Sequence, residues 1–105
     1  MTEDKSGKTY IYVMYNEERN RSKIGKANNP PKRLADLQTG SVDDLEITFQ
    51  LPVEKSLASK VEKEAHKIAV EAGKPKTREW FSRTTPEEAQ QFVETAYQNI
   101  RGRNG

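Results

Sequence analysis

The sequence predicts one small α+β domain, a sheet built on an antiparallel strand pair with helices packed around it. Three observations predict this. Two extended runs, residues 9–15 and 21–26, are joined by the short polar turn "NEERN", and so short a connection requires antiparallel pairing. Two later segments, "LASKVEKEAHKIAVEA" and "TTPEEAQQFVETAYQNI", repeat apolar residues at helical spacing. The chain is 105 residues long, enough for one modest core and too few for two.

Taken in order, residues 1–8 read as an N-terminal tail and 99–105 as a C-terminal one, flanking a domain over 9–98. "TYIYVMY" is β-branched and aromatic on both alternating faces, the pattern of a central strand covered on both sides. "RSKIGK" then completes a hairpin. In "NNPPKRLADLQTG", Asn29 suits the N-cap, Pro30 the first helical position, and Gly40 lies just past the end. Leu34 and Leu37 supply the buried side of this helix. "LEITFQL" alternates, sending Leu45, Ile47, Phe49 and Leu51 one way, as in a half-buried strand.

A helix is expected from residue 52 or 53 to 72, with Leu57, Val61, Ala65, Ile68 and Ala72 as its stripe and Gly73 as its stop. "REWF" is a brief extended piece. The last helix carries Thr85 as N-cap, Pro86 at its first position and Glu88 placed for a capping box. Phe92, Val93, Ala96 and Ile100 form its core face. A parallel, doubly wound arrangement is disfavoured by the opening hairpin.

Hydrophobic and charged residues each make up 32% of the chain, so the core must be economical. There is no cysteine, which removes disulfides and thiolate metal sites and suits a reducing cytosol. No apolar run approaches the roughly 20 residues that span a bilayer, and "MTEDKSGK" has no apolar signal segment. The expectation is a soluble, cytoplasmic protein with no membrane attachment. A net charge of +2 is only mildly basic, so the distribution of charge matters more than its sum. Basic residues gather at Arg19, Arg21, Lys23, Lys26, Lys32 and Arg33, and again at Lys74, Lys76, Arg78 and Arg83.

Gly25 sits beside a basic strand end, and Arg33 follows eight residues later on a helix. One reading is that Gly25 leaves room for a phosphate gripped by Lys23 and Arg33. The other is a hairpin leading into a surface helix. Glu62 adjoins Val61 at the rim of its helix's apolar face, where a carboxylate is costly without a partner or a metal. His66 lies one turn further on, placed to pair with Glu62 and to support it. Taken singly, each of these residues, and Trp80 with them, reads as an ordinary structural residue.

Taken together, "YIY" at residues 10–12, "KIG" at 23–25, the arginine at 33 and a helical glutamate resemble the GIY-YIG nuclease superfamily. With "VEKEAH" and "EWF", the chain looks most like the compact phage-type branch of DNA-binding or nuclease-like domains. The resemblance implies a three-stranded antiparallel sheet flanked by three helices. It implies a DNA endonuclease that hydrolyses phosphodiester bonds with Mg²⁺ or Mn²⁺. By position, Tyr12, Lys23, Arg33 and Glu62 would be catalytic, with Glu62 holding the metal. Tyr10, Gly25, Lys26, Lys32, Lys76 and Arg78 would border the DNA. Either Tyr12 or Lys23 could orient or deprotonate the attacking water, although a lysine of ordinary pKa near 10.4 is a poor base at neutral pH. Leu37 stands where many members carry a histidine, so a catalytically weak or inactive DNA-binding module of the same fold is the alternative. Target recognition would then call on a separate protein partner.

Overall fold

The computed structural model describes residues 8–104, without the side chain of Asn104. The N-terminal tail expected over residues 1–8 lies outside the described residues, except for Lys8, which already belongs to a strand. The elements run β1 (Lys8–Asn16), β2 (Arg21–Ala27), α1 (Pro30–Thr39), β3 (Leu45–Glu54), α2 (Lys55–Glu71), β4 (Lys76–Thr77), β5 (Trp80–Ser82) and α3 (Pro86–Asn104). The α+β class holds, but the sheet has five strands, not three, in the order β3-β1-β2-β5-β4, all antiparallel. The two additional strands come from the "REWF" region. Arg78 and Glu79 form a two-residue turn that folds it into a hairpin, with β5 docked on β2.

One face of the sheet carries the main core. Ile11, Val13, Ile24, Val53 and Phe81 pack against Ala58, Val61, Ala65 and Ala69 of α2 and Ala89, Val93, Ala96 and Ile100 of α3. Alanines on the helices let both approach the sheet closely, which is how a chain poor in large apolar residues still closes a core. The other face carries Tyr12 and Met14, and α1 covers part of it with Leu34 and Leu37 half-buried.

The caps form as the residues dictate. The Asn29 side chain accepts from the Lys32 N–H at 3.2 Å. Thr85 and Glu88 exchange bonds, the Glu88 N–H to Thr85 Oγ1 at 3.1 Å and the Thr85 N–H to Glu88 Oε1 at 2.9 Å. Gly73, at φ +88, closes α2 with N–H bonds from Gly73 to Val70 and from Lys74 to Ala69.

Three features differ from expectation. β3 stays extended through Pro52 to Glu54, so α2 begins later, at Lys55. Pro52 is tolerated there because β3 is an edge strand whose missing N–H breaks no interior ladder. α3 runs to Asn104 through the segment expected as a C-terminal tail, with Ile100 buried and Arg103 bonded to Glu64.

The third difference is a bulge. Val13 pairs with Phe49 while Met14 pairs with Ile47, leaving Thr48 as the extra residue. The alternating run is thereby split between the two faces. Phe49 and Leu51 join the main core, whereas Leu45 and Ile47 stand opposite Asn16 and Met14 on the α1 side.

Candidate functional site

The site grows from the cross-strand pair Tyr12 and Gly25 at the centre of the sheet. Tyr12 is 1% exposed, and its ring lies directly over Gly25. A Cβ built on Gly25 would stand 2.5 Å from the Tyr12 hydroxyl oxygen and 2.7 Å from Cζ. The space above the glycine is therefore taken by a side chain of the protein, not kept for a phosphate. Arg33, exposed on α1, lies near enough to the Tyr12 hydroxyl to pull its pKa down. Burial, first, pushes the Tyr12 pKa up, with Arg33 opposing it and Glu79 and Glu62 adding to the rise. Tyr12 is held as a phenol and is poorly suited to serve as a base.

Lys23 follows the same face of β2, and its side chain is 7% exposed. Its ammonium donates to Glu79 Oε1 at 2.6 Å. An ammonium so enclosed needs that counter-charge, so the positive charge expected to grip phosphate is already met within the domain. Glu79 was not foreseen in the sequence. The signal was there: once "EWF" is read as a hairpin strand, Trp80 pairs with Lys23 and brings the preceding carboxylate to the ammonium.

Glu62, half-buried on α2, faces this pair. Its pKa is raised, chiefly by burial, then by the Glu79 carboxylate, with Lys26, Lys23 and Lys76 pulling it down. His66 does not pair with Glu62. Its Nε2 lies 2.8 Å from the Ile24 carbonyl oxygen and donates to it, which fixes the neutral tautomer. On this side of β2 the Ile24 N–H donates to the Glu79 carbonyl at 3.2 Å, and His66 takes the Ile24 carbonyl. Its ring meets Phe81 edge-on, centroids 5.1 Å apart. Burial lowers the His66 pKa, against the Ile24 bond. Glu62, His66, Lys76 and Glu79 border a groove of about 580 Å³ along α2.

The structure thus brings Tyr12, Arg33, Glu62, Lys23, Lys26 and Lys76 to one region, with Gly25 beneath the tyrosine and His66 at the groove wall. It leaves others at the periphery. Tyr10 is half-buried on β1, opposite Ala27 and Pro52. Lys32 is exposed, with Asp36 3.9 Å from its ammonium. Arg78 is exposed at the hairpin tip, at φ 60. Lys74 of the second basic cluster is engaged with Glu88 at 2.9 Å, and Arg19 of the first with Asp43 at 2.6 Å.

Among the described residues no group of three or more His, Cys, Asp or Glu could hold a metal ion. Glu62 and Glu79 are the two carboxylates of this region that could contribute to holding a hard cation such as Mg²⁺, which keeps several waters and takes one or two carboxylates plus substrate phosphates. A cation here would also offset the mutual repulsion that raises the Glu62 pKa.

Fold and site together define a small α+β domain in which an enclosed tyrosine and an arginine lie near two carboxylates that border a groove along α2. The chain belongs to the T5orf172 domain family, whose model matches residues 9–96. This corrects the GIY-YIG resemblance: the tripeptides and their order resemble that superfamily, but the match across the domain is to the distinct T5orf172 family. No curated protein and no solved structure matches the chain. Among the described residues no helix is long and apolar enough to cross a membrane.

Proposed function

We propose that this domain binds DNA at the Tyr12–Arg33–Glu62 cluster and hydrolyses phosphodiester bonds there with Mg²⁺ or Mn²⁺. The observation that supports the reading is the placement of Arg33 beside the Tyr12 hydroxyl, with the Glu62 and Glu79 carboxylates within electrostatic reach from separate elements. Membership of the T5orf172 family, a nuclease-like and DNA-binding class of domain, supports the DNA part.

In this reading Arg33, exposed and bidentate by nature, binds the phosphate and favours its more charged transition state. Tyr12 stays protonated beside the guanidinium. Lys26 and Lys76 offer further positive charge at the rim, while Lys23, tied to Glu79, sets where that carboxylate points. Glu62 and Glu79 would hold the divalent cation, whose chemistry is to neutralise a phosphate oxygen and the leaving group.

A second reading is favoured by one specific observation. Tyr12 is enclosed and Lys23 is neutralised by Glu79, which leaves fewer groups free for chemistry than for phosphate binding. A non-catalytic DNA-binding module follows from that. Supercoiled plasmid incubated with Mg²⁺ or Mn²⁺ separates the two: nicking supports the nuclease, and retardation without nicking under either ion supports the module.

A further inference from the structure

On the α1 side of the sheet, next to Lys23, lies a second cleft of about 360 Å³. Trp80 and Arg21 line it from the sheet, Arg19 from the β1–β2 turn, Leu37 from the end of α1, Val42 and Asp43 from the connection into β3, and Leu45 from the start of β3. None of these serves the chemistry assigned to Tyr12, Arg33 and Glu62.

Four features of this cleft are unusual for a structural wall. Trp80, expected from the sequence to be a packing anchor, is only half-buried. Two cations address its ring, the Arg21 guanidinium 5.0 Å and the Lys23 ammonium 6.0 Å from the centroid. The Arg21 Nε is buried and has no hydrogen-bond partner among the described residues. At the rim, Val42 is 94% exposed.

A flat indole with a guanidinium over it is a stacking surface; Arg19 is already met by Asp43 in the same lining, so the donor left for a ligand is Arg21. A molecule that fits must be planar, apolar on its faces, lined with acceptors at its edge, and joined to phosphate. We infer that this cleft holds an unpaired nucleobase of the strand whose phosphate lies at Arg33. The inference rests on the DNA-binding reading above and adds a substrate class to it. A base stacked within a duplex cannot offer its faces, so the substrate is single-stranded, frayed or has the base turned out of the helix. Lys23 lies between the two clefts, near the Trp80 ring on one side and bonded to Glu79 on the other, which makes them neighbours along one strand.

Trp80 is the one tryptophan of the chain, so indole fluorescence reports on this cleft alone. The test uses the whole protein in chelator, with three probes of equal length: single-stranded oligothymidylate, an abasic deoxyribose-phosphate strand, and a thymidine-adenine duplex. Each carries a dye for an independent anisotropy measurement. The expected result is quenching of Trp80 by oligothymidylate, and binding about tenfold to a hundredfold weaker and without quenching by the abasic strand. In Trp80→Ala the two single strands should bind alike. Equal affinity and equal quenching by the oligothymidylate and abasic strands would overturn the inference while leaving DNA binding intact. Equal quenching by the duplex would overturn the requirement for an unpaired base. Absence of binding by all three probes at low salt would overturn the DNA reading itself, and this inference with it.

Discussion

The hydroxyl oxygen of Tyr12 occupies the place that a side chain at Gly25 would need, 2.5 Å from where its Cβ would stand. The two residues are direct cross-strand partners, and the tyrosine is enclosed. Gly25→Ala should therefore displace the ring and destabilise the domain by about 1–3 kcal/mol, measured by urea unfolding. Tyr12→Phe added to it removes the nearer contact but leaves Cζ at 2.7 Å, so the double variant should recover only part of the loss. An unchanged midpoint for Gly25→Ala would mean that the ring has somewhere else to go.

Glu62→Gln keeps the size of the side chain and removes the charge that would hold a cation. Cleavage should fall about a hundredfold or more, since each 1.36 kcal/mol of lost transition-state stabilisation is tenfold in rate. DNA affinity in chelator should stay equal or increase, because a negative charge leaves the surface. Arg33→Ala should lower both cleavage and binding. Plasmid nicking and anisotropy, measured on the same preparations, give the comparison. Equal cleavage by wild type and Glu62→Gln would make Glu62 a helix residue and nothing more.

The Lys23–Glu79 pair should respond asymmetrically. Lys23 is enclosed and Glu79 is 44% exposed, so loss of the carboxylate strands a buried ammonium, whereas loss of the ammonium lets the carboxylate turn to water. Glu79→Ala is expected to cost about 1–3 kcal/mol, and Lys23→Met clearly less. Thermal unfolding of the two variants side by side checks the order, and a reversed order would contradict the burial of Lys23.

His66 makes stability depend on pH. Its folded pKa is lowered by burial, so below the ordinary value of 6.5 the unfolded chain takes up a proton that the folded one refuses. Stability is fully present above 6.5 and declines as pH falls through the lowered folded value. Glu88, whose carboxyl Lys74 holds below its usual range, adds a loss at lower pH. His66→Gln, which can still donate to the Ile24 carbonyl, should flatten the first decline and leave the second, as read from Tm against pH. A wild-type Tm unchanged from pH 7.5 to 5.5 would exclude this role for His66.

DNA affinity should fall steeply with salt. With about five phosphates contacted, log affinity against log salt should have a slope of roughly −4 to −5. A flat response would remove the electrostatic basis for DNA binding.

The helices were legible because their signals are local: Asn29, Thr85 with Glu88, and Gly73 each act within a few residues of themselves. The sheet was legible only in part. The alternation in "LEITFQL" gives no sign of the bulge at Thr48, because a bulge depends on the partner strand. Glu79 was hidden for a similar reason. Its role depends on the pairing of β5 with β2, fifty-six residues from Lys23 in sequence, and strands of two and three residues leave almost no periodicity to read. Gly25 was singled out correctly as a close-approach position, but the approaching group is on the neighbouring strand.

Pro52 and the short outer hairpin have a consequence for how this protein meets its own kind. A five-stranded sheet has two free margins, and each invites another chain to continue the ladder. At one margin β3 presents Pro52, which lacks a donor, together with the bulge and the charges of Glu46 and Glu54. At the other, β4 is only two residues long and begins with Lys76. Neither margin offers the long, flat run of donors and acceptors on which strands of separate molecules zip together. The protein is thereby guarded against edge-to-edge aggregation at high concentration, although its sheet is its largest structural element.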